Sequence, residues 1–561
     1  MKILLVFLAC LTIGTVAVGQ NLETIRGQKP VTLHGDLSLR TMFYQASGIP
    51  NRRQPFSYVL SGSPTLSIYG ISVPLSFILS EQERSFRQPF NQFGMSPTYK
   101  WITLHAGYRN VSFSPFTLDG YTMLGGGFEL HPGKWQVGFM YGRLNRAVVA
   151  NQLNGDLQPI SFSRKGLAGK IGYGNDTSFV ALSFIKAKDD PNSIAFKSID
   201  SIGVTPAENL AVSLGGRIGI GAYWYAEADA ALSLYTANTV SSSKIDSTIA
   251  NVPTSVLSLM TINASTDASR AYRAVVGYRH KTFGLSLQYR RIDPNYQSMG
   301  AYFFQNDLEN YTLNPMFVLW SGKFRFNGSM GIQRDNLSGR KQATARRFIG
   351  SASASATFTE RFGIDLAYSN FATTQTPVAI KFNDSLRVAQ TTQNFSITPH
   401  YFIIGSQYSH VFTLSLNQMV LNDLSVFGAQ RNINSSNAFL NYQFTIVPTG
   451  LNLFCGFTYV RLNTAALAAG NQGITFGGGK AFLNKKLSLR LTNSILQNTQ
   501  GKARSMLFTH GLSGNYRNGK KHQFNLLVNY INNRGNAETQ ALGGYPQYNE
   551  WRGELGYSFG F

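Results

Sequence analysis

The 561-residue sequence predicts an all-β fold, a transmembrane antiparallel up-and-down β-barrel of about 26 strands, with 24 to 28 admissible. Three observations predict it. Apolar and polar residues alternate with a period of two from about residue 33 onward. Tight Gly, Asn and Pro turns alternate with long polar connections. Past the first residues, no apolar run approaches the ~20 residues that a membrane-spanning helix needs. The composition agrees, because 27 Tyr, 40 Phe and 54 Gly suit strands and turns, and a chain with 13% aromatic and only 14% charged residues is not disordered.

The chain opens MKILLVFLACLTIGTVAVGQ, where Lys2, an apolar run and small residues at Ala17 and Gly19 form the pattern of a secretory signal cut between Gly19 and Gln20. A lipoprotein signal ending at Cys10 is the weaker reading, since it leaves the apolar stretch too short. Residues 1–19 are thus expected as signal peptide, 20–32 as a short periplasmic segment and 33–561 as one barrel domain. With Cys10 removed, Cys455 has no partner for an internal disulfide, so sheet hydrogen bonds and packing must hold the fold.

The strands show the alternation directly. Trp135, Val137, Phe139 and Tyr141 oppose Gln136, Gly138, Met140 and Gly142. Phe283, Leu285, Leu287 and Tyr289 oppose Gly284, Ser286, Gln288 and Arg290; Phe524, Leu526, Val528 and Tyr530 oppose Gln523, Asn525 and Asn529. Each stretch has about the 9–11 residues of a tilted membrane strand. A soluble sandwich also alternates, but aromatics recurring at the ends of the apolar faces and strongly hydrated polar faces favour a lipid-facing wall. Placed in order from 33–45 to 548–561, the strands number 26. The faintest, 85–95, is required to keep all short turns on one side. Those turns, such as His131-Pro132-Gly133-Lys134 and Asn518-Gly519-Lys520, alternate with long segments at 188–208, 238–269, 293–309, 371–391 and 532–547.

The last strand carries a more specific signal. Trp551, Gly553, Leu555, Tyr557, Phe559 and the terminal Phe561 share one face, and this resembles the C-terminal β-signal of bacterial outer-membrane proteins. The resemblance implies recognition by the barrel-assembly machinery through Tyr557, Phe559 and Phe561. More loosely, the chain resembles outer-membrane barrels of Bacteroidota in its Gln after the cleavage point and in loops such as Arg291-Ile292-Asp293-Pro294-Asn295-Tyr296. The implied location is the bacterial outer membrane.

A barrel of this size encloses a wide lumen. The short segment before the first strand leaves no N-terminal plug domain to expect, so long loops, notably 238–269 and 371–391, or another protein are the candidates to fill it. Polar faces place Arg109, Lys170, Arg217, Arg273, Arg279, Arg290, Arg325, Arg490 and Arg552 inside, with Glu129, Glu227, Asp229, Asp365 and Glu554. The basic excess points to anion selectivity, with Arg109, Lys170, Arg217, Arg273, Arg290, Arg325 and Arg490 as the candidate residues. The plainer reading, cross-strand ion pairs bracing the wall, carries more weight.

The net charge of +23 attracts phosphate-rich partners. For an exported chain these are outer-membrane lipid and lipopolysaccharide rather than nucleic acid. No cofactor or metal is expected: the eight histidines lack metal-ligand spacing. Asp189-Asp190-Pro191-Asn192 reads as a turn before it reads as a calcium loop, and Gly125-Gly126-Gly127 lies in a strand with no helix to cradle phosphate. A Ser, His and acid set assembled from separate strands stays open. The leading expectation is a pore or transporter for polar solutes, with anions as its finer form. The alternative is a non-conducting barrel serving as scaffold or accessory component of an envelope secretion or assembly complex.

Overall fold

Alternation this persistent leaves each strand one oily face, and a closed sheet is the only arrangement that covers such a chain's backbone groups in a membrane. The computed structural model describes residues 30–69, 71–80, 92–148, 161–194, 204–243, 259–301, 306–340, 343–377, 388–423, 432–465, 467–535 and 547–561. The expected signal peptide lies outside the described residues. The chain forms one closed antiparallel barrel of 26 strands. Neighbours in sequence pair in space throughout, and the wall closes where Asp36–Ser47 pairs with Tyr548–Gly560, Leu39 opposite Tyr557.

Among the described residues, three barrel strands are interrupted. Val31–His34 continues into Asp36–Ser47 across Gly35, Phe56–Gly62 into Thr65–Ile68, and Gln92–Met95 into Thr98–Tyr99. The latter two breaks hold Pro64 and Pro97, which have no ladder donor to give. At the first, Gly35 has φ +147°, and its amide and carbonyl exchange hydrogen bonds with Phe561 at 3.1 and 3.0 Å. The seam of the barrel is thus tied between Gly35 and Phe561.

The strand expected at 85–95 is displaced: residues 81–91 lie outside the described residues, and the strand occupies Gln92–Met95 and Thr98–Tyr99. Its successor begins at Ile102, not 99, because Lys100 (φ 52°) makes the turn. The expected loop at 371–391 is largely strand, since Phe362–Pro377 and Val388–Ile404 extend into it and 378–387 lie outside the described residues.

Outward side chains form the belt expected of a lipid-facing wall. Near the short turns, ring centroids follow one another across adjacent strands: Trp224 to Tyr278 at 5.1 Å, Tyr278 to Phe283 at 5.9 Å, Phe283 to Phe317 at 5.4 Å and Phe317 to Phe326 at 5.5 Å. Such cross-strand pairs both stiffen the sheet and place amphipathic rings at an interface.

Twenty-six strands at a spacing of ~4.8 Å and a tilt of ~40° give a circular section roughly 50 Å across, so wall side chains alone cannot fill the lumen. Among the described residues, two connections turn inward to build a core. Residues 111–121 bury Val111, Phe113, Leu118 and Tyr121 against inward-facing Met123, Met140, Ala168, Ile185 and Ala211, and Phe116 in a second cluster with Ala231 and Ala271. Residues 293–301 bury Tyr296 and Met299 beside them. The expectation of inward folding at 238–269 is overturned in its described part: Met260 packs on Leu210 and Leu234, which face outward, and Thr236 Oγ1 donates to the Thr261 carbonyl at 2.7 Å. Residues 244–258 lie outside the described residues.

Candidate functional site

The inner face of the barrel has two unlike halves. One is covered by the inward segments. Phe113 reaches far down the lumen, where its carbonyl accepts from Ser183 Oγ at 3.3 Å and its ring occupies the space a side chain at Gly138 would need. The two segments clasp each other: Tyr296 donates to the Phe116 carbonyl at 2.7 Å, Asp119 N donates to the Gly300 carbonyl at 3.0 Å, and a Cβ on Gly300 would stand 2.7 Å from the Thr117 carbonyl. Burial pushes the Tyr296 hydroxyl pKa upward, so it stays a donor. Wall strands anchor the second segment, with Ser233 Oγ donating to the Gln297 carbonyl at 2.6 Å and Met299 N donating to Asn209 Oδ1 at 3.1 Å.

Beneath the first segment lies the charged cluster. Lys170, Arg217, Glu227, Asp229 and Arg273 line one concavity with Phe113 and Pro115. Arg273 reaches Glu227 at 3.1 Å and Asp229 at 3.2 Å, and Arg217 lies 3.6 Å from Glu227. Arg217 and Arg279 also approach the Tyr225 ring, at 4.9 and 5.7 Å.

The register sets every predicted inner residue on the face that carries Ala168 and Ile185, but their surroundings differ. Arg217 and Arg273 are ion-paired, as cross-strand bracing requires. Arg109 donates to Ser76 Oγ at 3.4 Å and the Pro74 carbonyl at 3.3 Å. Arg490 stacks over Phe454 at 4.1 Å, and Arg552 lies 3.6 Å from Glu554. Arg290 stands opposite Arg273 in the ladder, and Arg325 is separated from Asp365 by Ser355. Among the described residues, no ion pair forms at Lys170, Arg290 or Arg325.

The other half of the inner face went unnoticed at the sequence level. Asn327, Ser353, Ser369, Asn394, Asn417 and Asn437 belong to a concavity of about 620 Å³ on the strands between Phe324 and Ile446, and among the described residues no Asp, Glu, Lys or Arg lines it. The available signal was the absence of charge from alternate positions, as in Ser351, Ser353 and Ser355. This wall offers amide and hydroxyl groups that both donate and accept hydrogen bonds.

A Ser, His and acid set does come together. Ser96 Oγ lies 2.9 Å from His105 Nδ1, and His105 Nε2 lies 3.0 Å from Glu129 Oε1. The backbone amide of Ser96 is committed to the Pro74 carbonyl at 3.0 Å. The set links three strands at the interrupted one. Asp189 and Asp190 have structural duties too: Asp189 binds Arg164 through two bonds of 2.7 and 3.0 Å, and Asp190 caps the turn at Asn192. Replacing Asp189 with Asn is expected to leave Arg164 buried without its counter-charge, at a cost of about 3–5 kcal/mol. The check is the temperature at which the folded, fast-migrating gel band disappears, which should fall.

Tyr557 and Phe559 face outward beside His522; the Tyr557 hydroxyl lies 2.9 Å from His522 Nδ1, and the Phe559 and Phe561 rings are 5.5 Å apart.

A closed, even-numbered antiparallel barrel with an apolar outer belt and a hydrated inner wall is a transmembrane β-barrel of the bacterial outer-membrane class. No family model matches the chain, and no curated protein matches its sequence. Among solved structures, it is similar to the P pilus usher (PapC) translocation pore, with 11% identity, a TM-score of 0.36, and coverage of 94% of this chain and 99% of that one. It is also similar to the FrpB iron transporter of Neisseria meningitidis, with 10% identity, a TM-score of 0.38, and coverage of 97% and 83%. OccAB4 of Acinetobacter baumannii is similar over 72% of this chain and 99% of its own, with 10% identity and a TM-score of 0.30. These likenesses compare barrel with barrel and say nothing of what crosses the wall.

Proposed function

We propose that this barrel is a pore or transporter for polar solutes, moving them along the uncharged wall opposite the inward segments. The carrying observation is the concavity around Asn394 and Asn417, a hydrogen-bonding surface inside a closed barrel that no described segment covers. Amide and hydroxyl walls exchange hydrogen bonds with a passing solute without the tight hold of a fixed charge. A preference for anions is the finer proposal. It rests on Lys170, Arg290 and Arg325, because pairing neutralises much of the field of Arg217 and Arg273.

The test is purified protein in planar bilayers. Stepwise conductance with chloride favoured over potassium is the expected result. An electrically silent barrel that captures defined envelope proteins would replace this reading with that of a scaffold for secretion or assembly, its lumen filled by a plug or secretion partner.

The last strand is proposed as the part read by the barrel-assembly machinery. Deleting Phe561 removes both hydrogen bonds to Gly35 and one ring of the terminal aromatic face. The folded yield in the outer membrane is expected to drop severalfold, measured as the heat-modifiable fraction. An unchanged yield would dismiss the terminal residue as a signal.

A further inference from the structure

The outer face, at the rim of the long connections, carries a row of cations that the lumen does not use. Arg143 pairs with Lys165 in the ladder, Lys165 with Lys188, and Lys188 with Glu208. Side chains alternate across the sheet, so with Leu144, Ala168 and Ala187 packed in the inner core, Arg143, Lys165 and Lys188 point away from it. Lys186 stands two residues along from Lys188, level with exposed Tyr141 and with Leu167. The row therefore begins where the apolar belt ends.

One carboxylate pairs within the group. Glu208, nearly buried, lies 3.3 Å from Lys188 Nζ and 4.0 Å from Lys186 Nζ, and accepts from Thr261 N at 2.9 Å. Arg143 donates at 3.5 Å to the Tyr108 hydroxyl, and neither Arg143 nor Lys165 has an acidic partner among the described residues. Asp190, exposed two residues beyond Lys188 on the same face, adds a second carboxylate, so four cations against two anions leave a surplus of about two positive charges at headgroup depth, where each is worth a sizeable attraction to anionic lipid. Two phosphate monoesters carry about −3 to −4 in total.

We propose that Arg143, Lys165, Lys186 and Lys188 form a binding site for the headgroup of a diphosphorylated glycolipid in the outer leaflet. The match is one of spacing and depth: Arg143, Lys165 and Lys188 lie side by side on three adjacent strands, about 10 Å from first to last, so one phosphate reaches one end of the row while two spaced along a sugar reach both. The site rests on the membrane placement of the barrel and is independent of whether the lumen conducts.

The experiment measures binding of the full barrel, in phosphatidylcholine nanodiscs, to labelled lipid A in its diphosphorylated, monophosphorylated and dephosphorylated forms. Arg143→Gln/Lys165→Gln/Lys186→Gln leaves the Lys188–Glu208 pair in place and removes the surplus. It should bind the diphosphorylated form about a hundredfold more weakly. Lys165→Arg/Lys186→Arg should retain binding, and conductance should be unchanged in both variants. Wild-type affinity should decline with each phosphate removed, a series that carries the test even if the triple variant does not fold. Equal binding of all three forms, equal binding of phosphatidylglycerol, or undiminished binding by the folded triple variant would overturn the proposal.

Discussion

Replacing Phe116 and Tyr296 together with Ala is expected to free the inward segments and raise single-channel conductance severalfold, with larger neutral solutes entering. Both side chains are almost wholly buried, their ring centroids lie 6.1 Å apart, and Tyr296 holds the Phe116 carbonyl. Truncating a buried aromatic costs about 3–5 kcal/mol, enough at two sites to shift a docked loop largely to its released state. The wall itself should survive, because its ladder is hydrogen-bonded independently of the segments. A narrower second route to the same result is Gly300→Val, since a side chain there would strike Ile185 and the Thr117 carbonyl. Solute-exclusion measurements on the heat-modifiable, folded variants check this. If the size limit and the conductance both stay at their original values, the segments lie outside the permeation path.

Charge reversal at Lys170, Arg290 and Arg325 is expected to have the second large effect. Each change to Glu moves the lumen by two charge units; these candidate cations have neither an ion pair nor a stacked ring among the described residues, and Arg109, which shares that property, is set apart because it is held by Ser76 and the Pro74 carbonyl. In so wide a lumen, range decides the outcome. Fixed charges act over roughly 30 Å at 0.01 M salt but only about 3 Å at 1 M. The ratio of chloride to potassium permeability should therefore fall severalfold at low salt and converge on the original value at high salt. Arg217→Gln should do less, because Glu227 and Arg273 remain paired beside it. Reversal potentials across a salt gradient measure both. A triple variant with unaltered selectivity at 0.01 M would remove these cations from the account of anion preference.

Much of this architecture was legible in the sequence, and the reasons are specific. A strand has a side-chain period of two, so the identity of residue 290 as a polar neighbour of Leu287 and Tyr289 already set it on the inner face. Turn chemistry marked one rim: Asn518-Gly519-Lys520 forms a tight reversal with Gly519 at φ 65°. The inward segment was missed although its signal was present. Val111, Phe113, Phe116 and Leu118 are too apolar for a connection that ends in water, and such a stretch must bury itself somewhere. The charged cluster was recognised only as a list, because whether Arg273 is free or paired depends on which residues of the next strand stand opposite it.

By itself, the sequence determined the alternation and the strand number, both properties of neighbours along the chain. Only the tertiary structure decided which connections enter the lumen, which cations are neutralised and where the uncharged wall lies. Those outcomes depend on contacts such as Tyr296 with Phe116, 180 residues apart, and a local period carries no information about distances of that kind.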